Sequence, residues 1–368
     1  MLKIISFNLK FRTETVIPLL LQKVNNNMKL KSKKSIFTVI IFTILLSGCH
    51  NNKKEYINNE GLIFGTTYHI TYESPNNKDL QKGIEATLEK VNNSLSPFKP
   101  HSIISHINQN KDTLLDKEFS TVFNKAMEIS KITNGAFDIT VAPMVNAWGF
   151  GFKNKEKITP KRIDSLKQLV GYKKIKMVNG IIMKENKGIM LDCSAIAKGF
   201  ACDKTGEYLK KEGCLNYMVE IGGEVVAKGC NDKNKSWRIG ISRPDDDNFF
   251  DNQKLKAILS LKNKALATSG NYRNYYIDEN GNKVAHEINP KTGYPARQNM
   301  LSTTVLCNDC MTADAYATAF MIMGLDSSLQ VLKQRKDLEV YFIYSDKNGN
   351  TKTYVSGGFK RFLIKNYK

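Results

Sequence analysis

The feature that most restricts the fold is an irregular succession of strand-like and helix-like segments between residues 62 and 355. Alternating apolar residues predict strands, and apolar residues spaced three and four apart predict helices. The segments lack the regular strand–helix–strand spacing of a doubly wound parallel fold. We therefore predict an α+β fold with a mainly antiparallel sheet and helices packed on it, arranged either as one intertwined unit or as two lobes.

The same patterns set approximate element boundaries. Helices are predicted over residues 79–95, 102–108, 120–133, 159–170, 195–212 and 311–323. Strands are predicted over residues 62–72, 175–183, 189–191, 217–221, 225–228, 237–242, 255–261, 302–306, 339–344 and 351–355. The sequence contains neither a Gly-x-Gly-x-x-Gly fingerprint nor a P-loop, so these two nucleotide motifs give no reason to expect a Rossmann or P-loop domain.

The N-terminal segment has the layout of a secretion signal. Residues 28–34 are basic, residues 36–46 are apolar but short for a membrane span, and Leu46-Ser47-Gly48-Cys49 has the form of a lipobox. We predict a signal peptide region over residues 1–48, in which residues 1–27 precede the true start at Met28, and a lipid on Cys49. A plain signal peptide followed by an incidental cysteine is the alternative.

The predicted lipid sets the expected organisation and location of the mature chain. Residues 49–60 would form a tether, and residues 61–368 would form the folded domain. The protein would be anchored by lipid to the cell membrane and would face the periplasm or the cell exterior.

The net charge of the chain bears on the class of partner that we expect. The net charge is +20, but the leader supplies part of it, and lysine outnumbers arginine. Proteins that bind nucleic acid rely on arginine, so we expect a solvated basic surface and no nucleic-acid partner.

The cysteine pattern does not indicate a zinc site. Among the seven cysteines, Cys307 and Cys310 form a lone CxxC pair, which supplies too few ligands for zinc. Small buried thiols are the favoured interpretation, and disulfides stay open in an exported protein.

The segment Leu191–Gly199 combines an acid, a hydroxyl, a predicted helix start and a lysine. A helix N-terminus presents unpaired N–H groups and a positive dipole end, which favour phosphate. Asp192 could bind a ligand or cap the helix, and Lys198 adds a positive charge. The segment indicates a phosphorylated ligand, although an ordinary capped helix would look the same.

Two further segments have the residue types of a metal site and a proton acceptor. Asp314 and Thr318 lie four residues apart on one helix face, and their hard oxygens suit Mg²⁺ better than zinc. A surface acid and a threonine bonded to its own helix would give the same spacing. His286 precedes a turn and is a candidate base, although a lone histidine is more often structural.

Taken in order, the motifs of this chain resemble those of the ApbE family of FAD:protein FMN transferases, from about Phe64 to Phe359. The matching segments are Gly65–Tyr68, Leu95–Pro100, Gly135–Asp138, Asp192–Gly199, Val219–Gly223, Ala267–Gly270, His286–Pro290 and Ala313–Ala315. The resemblance implies a T-fold-like architecture with FAD as substrate.

The resemblance also implies roles for individual residues. The residues implied to contact the flavin substrate are Phe64, Phe98, Ala136, Phe137, Asp138, Asp192, Lys198 and Ile288. The Ala195 carbonyl, the Asp314 carboxylate and the Thr318 hydroxyl are implied to bind Mg²⁺, and His286 is the implied base. Phe98 stands where relatives often carry Tyr, and Phe64 where Met is common, which puts details of flavin affinity in doubt.

The implied reaction is transfer of FMN from FAD to a Thr or Ser hydroxyl, with release of AMP. The implied partners are exported acceptor flavoproteins, such as flavinylated subunits of membrane redox pumps. A metal-dependent FAD pyrophosphatase would use the same residues, and a pocket without room for a peptide would favour it. A non-catalytic flavin-binding lipoprotein is the third interpretation, and the presence of both Asp314 and Thr318 disfavours it.

Overall fold

The structure is a computed structural model that describes residues 55–244, 255–271, 275–279, 281–296 and 299–367. The predicted signal region and Cys49 lie outside the described residues. The described residues all belong to one compact unit. None of their helices combines the length and the apolar character needed to cross a membrane.

The helices and strands alternate irregularly, as predicted. The helices are α1 (Gln81–Leu95), α2 (Ile103–Asn108), α3 (Lys117–Ile132), α4 (Ala142–Ala147), α5 (Pro160–Lys167), α6 (Ser194–Lys211) and α7 (Cys310–Gln334). The strands are β1 (Glu55–Ile63), β2 (Thr66–Ser74), β3 (Ile175–Val178), β4 (Ile181–Lys184), β5 (Tyr217–Ile221), β6 (Glu224–Lys228), β7 (Trp237–Ser242), β8 (Leu255–Leu261), β9 (Lys264–Gly270), β10 (Tyr275–Ile277), β11 (Lys283–Ala285), β12 (Met300–Cys307), β13 (Glu339–Ser345), β14 (Thr351–Val355) and β15 (Leu363–Asn366).

An eight-stranded sheet organises the fold, with strand order β1-β2-β5-β6-β9-β12-β13-β14. Every neighbouring pair in it is antiparallel. A smaller antiparallel sheet has the order β15-β8-β7. The predicted α+β class with a mainly antiparallel sheet is confirmed.

The large sheet is buried on both faces over its central strands. On β13, Val340 and Phe342 belong to the main core with the helices, whereas Tyr341 and Ile343 belong to a second core with the smaller sheet. Successive side chains of a strand point to opposite faces, so an unbroken apolar run fits a strand covered on both sides. The result is a layer of helices, the large sheet and the smaller sheet.

Helices α6 and α7 approach each other closely at Gly199. A Cβ built on Gly199 would lie 2.3 Å from the backbone carbonyl oxygen of Cys310. Only glycine allows this approach, which brings the backbone of α6 against the first turn of α7. The contact places the Lys198 and Asp314 segments side by side.

Several predicted boundaries differ from the structure. The single strand predicted over residues 62–72 is a hairpin, because Phe64 and Gly65 both adopt positive φ and reverse the chain. Since β1 begins at Glu55, residues 55–60 pair with β2 and are not a tether. Residues 189–191 form no strand. The last helix continues past residue 323 to Gln334, with a break at Gly324.

Candidate functional site

A buried carboxylate lies where α6 and α7 meet. Asp314 is 2% exposed, and its Oδ2 accepts a hydrogen bond from the backbone N–H of Gly199 at 2.9 Å. Burial raises the pKa of the Asp314 carboxyl, while the positive charge of Lys198 and the Gly199 N–H lower it. Two separately predicted residues, Lys198 and Asp314, therefore share one electrostatic environment.

Lys198 also pairs with a second buried acid that sequence reasoning missed. Its Nζ lies 3.5 Å from Oε2 of Glu224, which is 3% exposed. A buried carboxylate is stable only with a nearby cation or hydrogen-bond donors. An acid that opens the otherwise apolar strand β6, directly after Gly222-Gly223, was the available signal.

The Thr318 hydroxyl lies one helical turn beyond Asp314. Its Oγ1 is 3.2 Å from Oγ of Ser269, near the end of β9. The hydroxyl therefore has a partner on the sheet, not a carbonyl of its own helix, which was the alternative to a ligand role. Asp314 and Thr318 thus both lie at the junction of α6, α7 and β9.

The start of α6 is bound to the loop that contains Asp138. The Asp192 N–H donates to the Ile139 carbonyl at 2.8 Å, and Asp192 Oδ1 accepts the Ser194 N–H at 2.8 Å. The N-cap position is Cys193, which accepts no side-chain hydrogen bond from the helix. The Ile196 and Ala197 N–H groups donate to the Cys193 carbonyl at 3.0 and 2.9 Å, so the first turn of α6 keeps its positive dipole end, although several of its amides already have partners.

The Asp138 carboxylate is hydrogen-bonded within the chain, and its predicted contact with the flavin stays a prediction. Its Oδ1 accepts hydrogen bonds from the N–H and the hydroxyl of Thr140 at 2.9 and 2.6 Å, and its Oδ2 accepts the Tyr172 N–H at 2.7 Å. Burial raises the pKa of Asp138, and these bonds lower it. Both oxygens are occupied by the chain itself, so the carboxylate shapes the loop.

Three other residues implied to line the flavin site are buried. Ala136 and Phe137 are buried, and Phe137 packs in the main core. Ile288 is buried in a small core with Met144 and Leu166. These side chains therefore leave little surface for a ligand to contact. They stay in the interior because the burial of apolar surface is favourable.

The two remaining phenylalanines are more accessible. Phe98 is 64% exposed and packs edge-on against Phe152, with 6.3 Å between ring centroids. The turn at Phe64 lies close to Lys198 through Gly222, whose built Cβ would be 2.8 Å from Thr66 and 3.4 Å from the Lys198 Cδ.

His286 lies in a second group of side chains. Its Nδ1 is 3.3 Å from Oε2 of the buried Glu287, and its ring packs edge-on against Phe150 at 6.3 Å. Phe150 stacks on Tyr276 at 5.3 Å, and the Lys155 Nζ lies 3.9 Å over the Tyr276 ring.

The segment between β9 and β12 connects the group of side chains around Asp314 with the group around His286. This segment leaves β9 next to Ser269, contains β10, β11 and His286, and returns at Met300. The side-chain amide of Asn271 donates a hydrogen bond to the Met300 carbonyl at 3.3 Å and so joins the two ends of this segment. The loop that contains His286 therefore begins beside the strand end that contacts Thr318.

The oxygen donors fit a hard cation. A carboxylate, a hydroxyl and a backbone carbonyl suit Mg²⁺, which keeps several waters and binds few protein ligands. Within the described ranges, no cluster of three or more His, Cys, Asp or Glu residues has metal-binding geometry, so a thiolate or imidazole metal site is absent there. The six described cysteines are free thiols, of which all but Cys230 are buried. The interpretation of the CxxC pair as buried thiols is confirmed.

Comparison with known proteins decides the family. The model of the ApbE family matches residues 64–342. The chain belongs to the ApbE family. Every predicted site residue from Phe64 to Thr318 lies inside the matched range, whereas Cys49 precedes it.

Curated ApbE relatives cover most of the chain. A Haemophilus influenzae protein named FAD:protein FMN transferase is 36% identical and aligns with 89% of this chain and 98% of its own length. A Vibrio cholerae protein of the same name is 35% identical over 88% of this chain and 97% of its own. The similarity therefore extends over whole proteins, not a shared fragment.

Solved ApbE structures share the fold. The flavin transferase ApbE from Vibrio cholerae has a TM-score of 0.75 at 34% identity, covering 84% of this chain and 100% of that one. The Pseudomonas stutzeri flavinyl transferase ApbE has a TM-score of 0.75 at 25% identity, covering 85% and 98%. The predicted ApbE-like architecture is confirmed.

Proposed function

We propose that this protein is an Mg²⁺-dependent FAD:protein FMN transferase that attaches FMN to a Thr or Ser hydroxyl of an acceptor protein and releases AMP. Membership of the ApbE family and relatives of that name support the transferase class. The observation that carries the finer proposal is the junction of α6 and α7, where Asp314, Thr318 and Lys198 lie near the N-terminal part of α6.

Substrate binding follows from the charges at this junction. The pyrophosphate of FAD is an anion, and the start of α6 supplies a positive dipole end for it. Lys198 adds a full positive charge, which pairs with Glu224 and also acts on the Asp314 carboxylate. Since these acids restrict the ammonium, less side-chain entropy is lost when it contacts a phosphate.

The Asp314 carboxylate, the Thr318 hydroxyl and the Ala195 carbonyl are the groups that would hold Mg²⁺. Bound there, the ion would supply neutralisation of the charge that develops on the pyrophosphate oxygens. Asp314 suits this role because burial raises its pKa, and a carboxylate made unstable by burial gains from a bound cation.

The proposed reaction exchanges one P–O bond for another. The acceptor hydroxyl oxygen bonds to the phosphorus of the FMN moiety, and its proton passes to the His286 imidazole. The P–O bond to the AMP moiety breaks, and AMP leaves with the bridging oxygen. No redox change occurs, and the product is a phosphoester-linked flavin.

The proposed location rests on the sequence before residue 55. A lipid on Cys49 would hold the enzyme at the cell membrane, facing exported acceptor flavoproteins such as flavinylated subunits of membrane redox pumps. We expect Cys49→Ser to move the protein from the membrane fraction to the soluble fraction. A variant that stays in the membrane fraction would contradict lipid anchoring at this cysteine.

The deciding experiment incubates the full-length protein with FAD, Mg²⁺ and an acceptor domain that has a flavinylation-type Thr. In-gel flavin fluorescence and AMP release are measured together, with the Thr→Ala acceptor as control. Labelled acceptor with equal AMP supports the proposal. AMP and free FMN without label indicates a pyrophosphatase, and no AMP at all indicates a flavin-binding protein.

A further inference from the structure

Strand β1 begins shortly after the cysteine that we propose to be lipidated. Five residues separate Cys49 from Glu55, the first residue of the strand. Because an extended chain spans at most about 3.5 Å per residue, the Cα atom of Glu55 lies within about 20 Å of that of Cys49. Strand β1 itself, from Glu55 to Ile63, is about 27 Å long at about 3.4 Å per residue. The connection is shorter than the strand, so the end of the sheet at which β1 begins would lie close to a bilayer that holds the lipid.

Four other segments lie at this end of the sheet, and we call the surface that they form with Glu55 the Glu55 edge. The segments are residues 73–78, 210–216, 228–235 and 262–263. The first of them includes Ser74, which pairs with Glu55 across the β1–β2 hairpin. The others are the end of α6 with the loop before β5, the end of β6 with the following turn, and the β8–β9 turn.

Hydrogen bonds join each segment of the Glu55 edge to the next. The Glu73 N–H donates to the Asn216 carbonyl at 2.8 Å. The Cys230 N–H donates to the side-chain carbonyl of Asn216, also at 2.8 Å. The Gly229 N–H donates to the side-chain carbonyl of Asn263 at 3.1 Å. The Glu55 edge is therefore one continuous surface whose parts keep fixed positions.

The Glu55 edge is basic, with seven lysines against four acids. The lysines are Lys78, Lys210, Lys211, Lys228, Lys233, Lys235 and Lys262, and the acids are Glu55, Glu73, Glu212 and Asp232. Among the residues that the structure describes, only Lys78 of these lysines has an ion-pair partner, Glu212 at 3.3 Å. Leu215 projects from the same surface with 71% of its side chain exposed. Lysines around an exposed apolar side chain suit a surface of anionic lipid headgroups.

The candidate site lies at the other end of the same elements. Helix α6 begins at Ser194, four residues before Lys198, and ends at Lys211 in the Glu55 edge. The turn that ends β1 approaches Lys198 through Gly222, whose built Cβ would be 3.4 Å from the Lys198 Cδ. If the Glu55 edge contacts the bilayer, the candidate site is held about one length of β1, about 27 Å, from the lipid.

We propose that the Glu55 edge is a membrane-contacting surface that binds anionic phospholipid headgroups and directs the candidate site away from the bilayer. This inference rests on the proposed lipid on Cys49 and on no step of the proposed transfer reaction. A lipid alone fixes one point of the chain and leaves the domain free to rotate. Each lysine near an anionic bilayer favours contact by about 5-fold in the equilibrium constant, which fixes the orientation.

The test measures how fast single lysines react on the lipidated protein in vesicles. The full-length gene is expressed, and the protein is purified from membranes and reconstituted into phosphatidylcholine with or without phosphatidylglycerol. An amine-acetylating reagent and peptide mass spectrometry give the labelling rates. We expect Lys211, Lys233 and Lys235 to react more slowly in the anionic vesicles, and high salt to remove this protection. Lys187 and Lys347, exposed in turns outside the Glu55 edge, should react equally in both.

A pair of double variants measures the contribution of the charges. In Lys233→Gln/Lys235→Gln the backbone N–H groups of both residues can keep their bonds to the Asn231 side chain. We expect the ratio of bilayer-contacting to free orientations, measured from Lys211 labelling, to fall about 25-fold. The matched Lys187→Gln/Lys347→Gln should leave this ratio unchanged. An equal fall in both variants, or no fall in the first, would overturn the inference.

The remaining outcomes separate this inference from the proposed function. Failure of FMN transfer would not affect the labelling, which requires no turnover. If the mass of the N-terminal peptide shows no lipid on Cys49, anchoring fails, and sedimentation of the unlipidated protein with anionic and neutral vesicles decides. Binding to the anionic vesicles alone, weakened by Lys233→Gln/Lys235→Gln, would support the inference. Equal sedimentation with both vesicles, or protection of these lysines only after an acceptor protein is added, would overturn it.

Discussion

The buried carboxylate of Asp203 leads to a prediction of how the free energy of unfolding depends on pH. It lies on α6, and its two oxygens accept the N–H groups of Cys310 and Met311, each at 2.8 Å. These are the first amides of α7, the helix that contains Asp314 and Thr318. Asp203 therefore connects the two helices that form the candidate metal site.

The environment of Asp203 makes stability depend on pH. Burial raises the pKa of Asp203 from 3.8 to about 7, opposed by its two backbone hydrogen bonds and reinforced by the charges of Asp309 and Glu207. The folded chain therefore keeps a proton that the unfolded chain releases. The stabilisation is fully present below the unfolded pKa of 3.8 and is lost as pH rises through about 7. Over about 3 pH units, at about 1.36 kcal/mol each, the change reaches about 4 kcal/mol.

Asp203→Asn removes this titration while it keeps the shape of the side chain. The amide oxygen can accept only one of the two N–H groups, and the amide nitrogen faces the other, so we expect a loss of about 1–3 kcal/mol at acid pH. Near pH 8 the wild type buries a charge that the variant lacks. The stability difference, wild type minus variant, should therefore fall by up to about 4 kcal/mol between about pH 4 and about pH 8.

The assay is urea unfolding followed by far-UV circular dichroism across this pH range, with linear extrapolation at each pH. Asp116→Asn is the matched control, since it replaces a carboxylate at the N-cap of α3 with another good N-cap residue, and Asp116 is not among the charges that shift the pKa of Asp203. A wild-type minus Asp203→Asn difference that does not vary with pH would refute the reasoning.

Three further predictions concern the junction itself. Asp314→Ala should abolish FMN transfer but leave some FAD binding, measured by flavin fluorescence, and activity that survives in excess Mg²⁺ would exclude the metal assignment. Lys198→Ala should weaken FAD binding in a titration, because the cation that pairs with Glu224 and would contact the pyrophosphate is lost, and unchanged affinity would exclude a ligand role. Gly199→Ala should lower the free energy of unfolding by about 1–3 kcal/mol through overlap with Cys310. The matched Gly357→Ala, whose built Cβ meets no atom within 4 Å, should be nearly neutral.

Local patterns predicted most of the elements. Helix α2 begins after Ser102, whose hydroxyl accepts the Ser105 N–H, and α5 begins after Thr159 with proline in its first turn. These signals are local because caps and turns involve residues a few positions apart. The prediction of a single strand over residues 62–72 was wrong. The alternation of apolar residues does not reveal that Phe64 and Gly65 adopt positive φ and reverse the chain.

The candidate site was predicted unevenly. Asp314, Thr318 and Lys198 were singled out from residue type and spacing, the resemblance implied their roles, and the structure gives each a partner across the junction. Glu224 and Glu287 were missed, because the significance of a buried acid depends on burial that adjacent residues do not reveal.

The sequence by itself determined the fold class, the family and most helix boundaries, because periodicity and motif order are properties of neighbouring residues. Only the tertiary structure decided that the Asp138 carboxylate is hydrogen-bonded within the chain, that Ile288 packs in a core, and that Lys198 pairs with the buried Glu224. Such roles depend on contacts between residues far apart in the chain. Burial then sets the energy of each charged group, since removal from water makes a carboxylate dependent on the few partners that the fold brings to it.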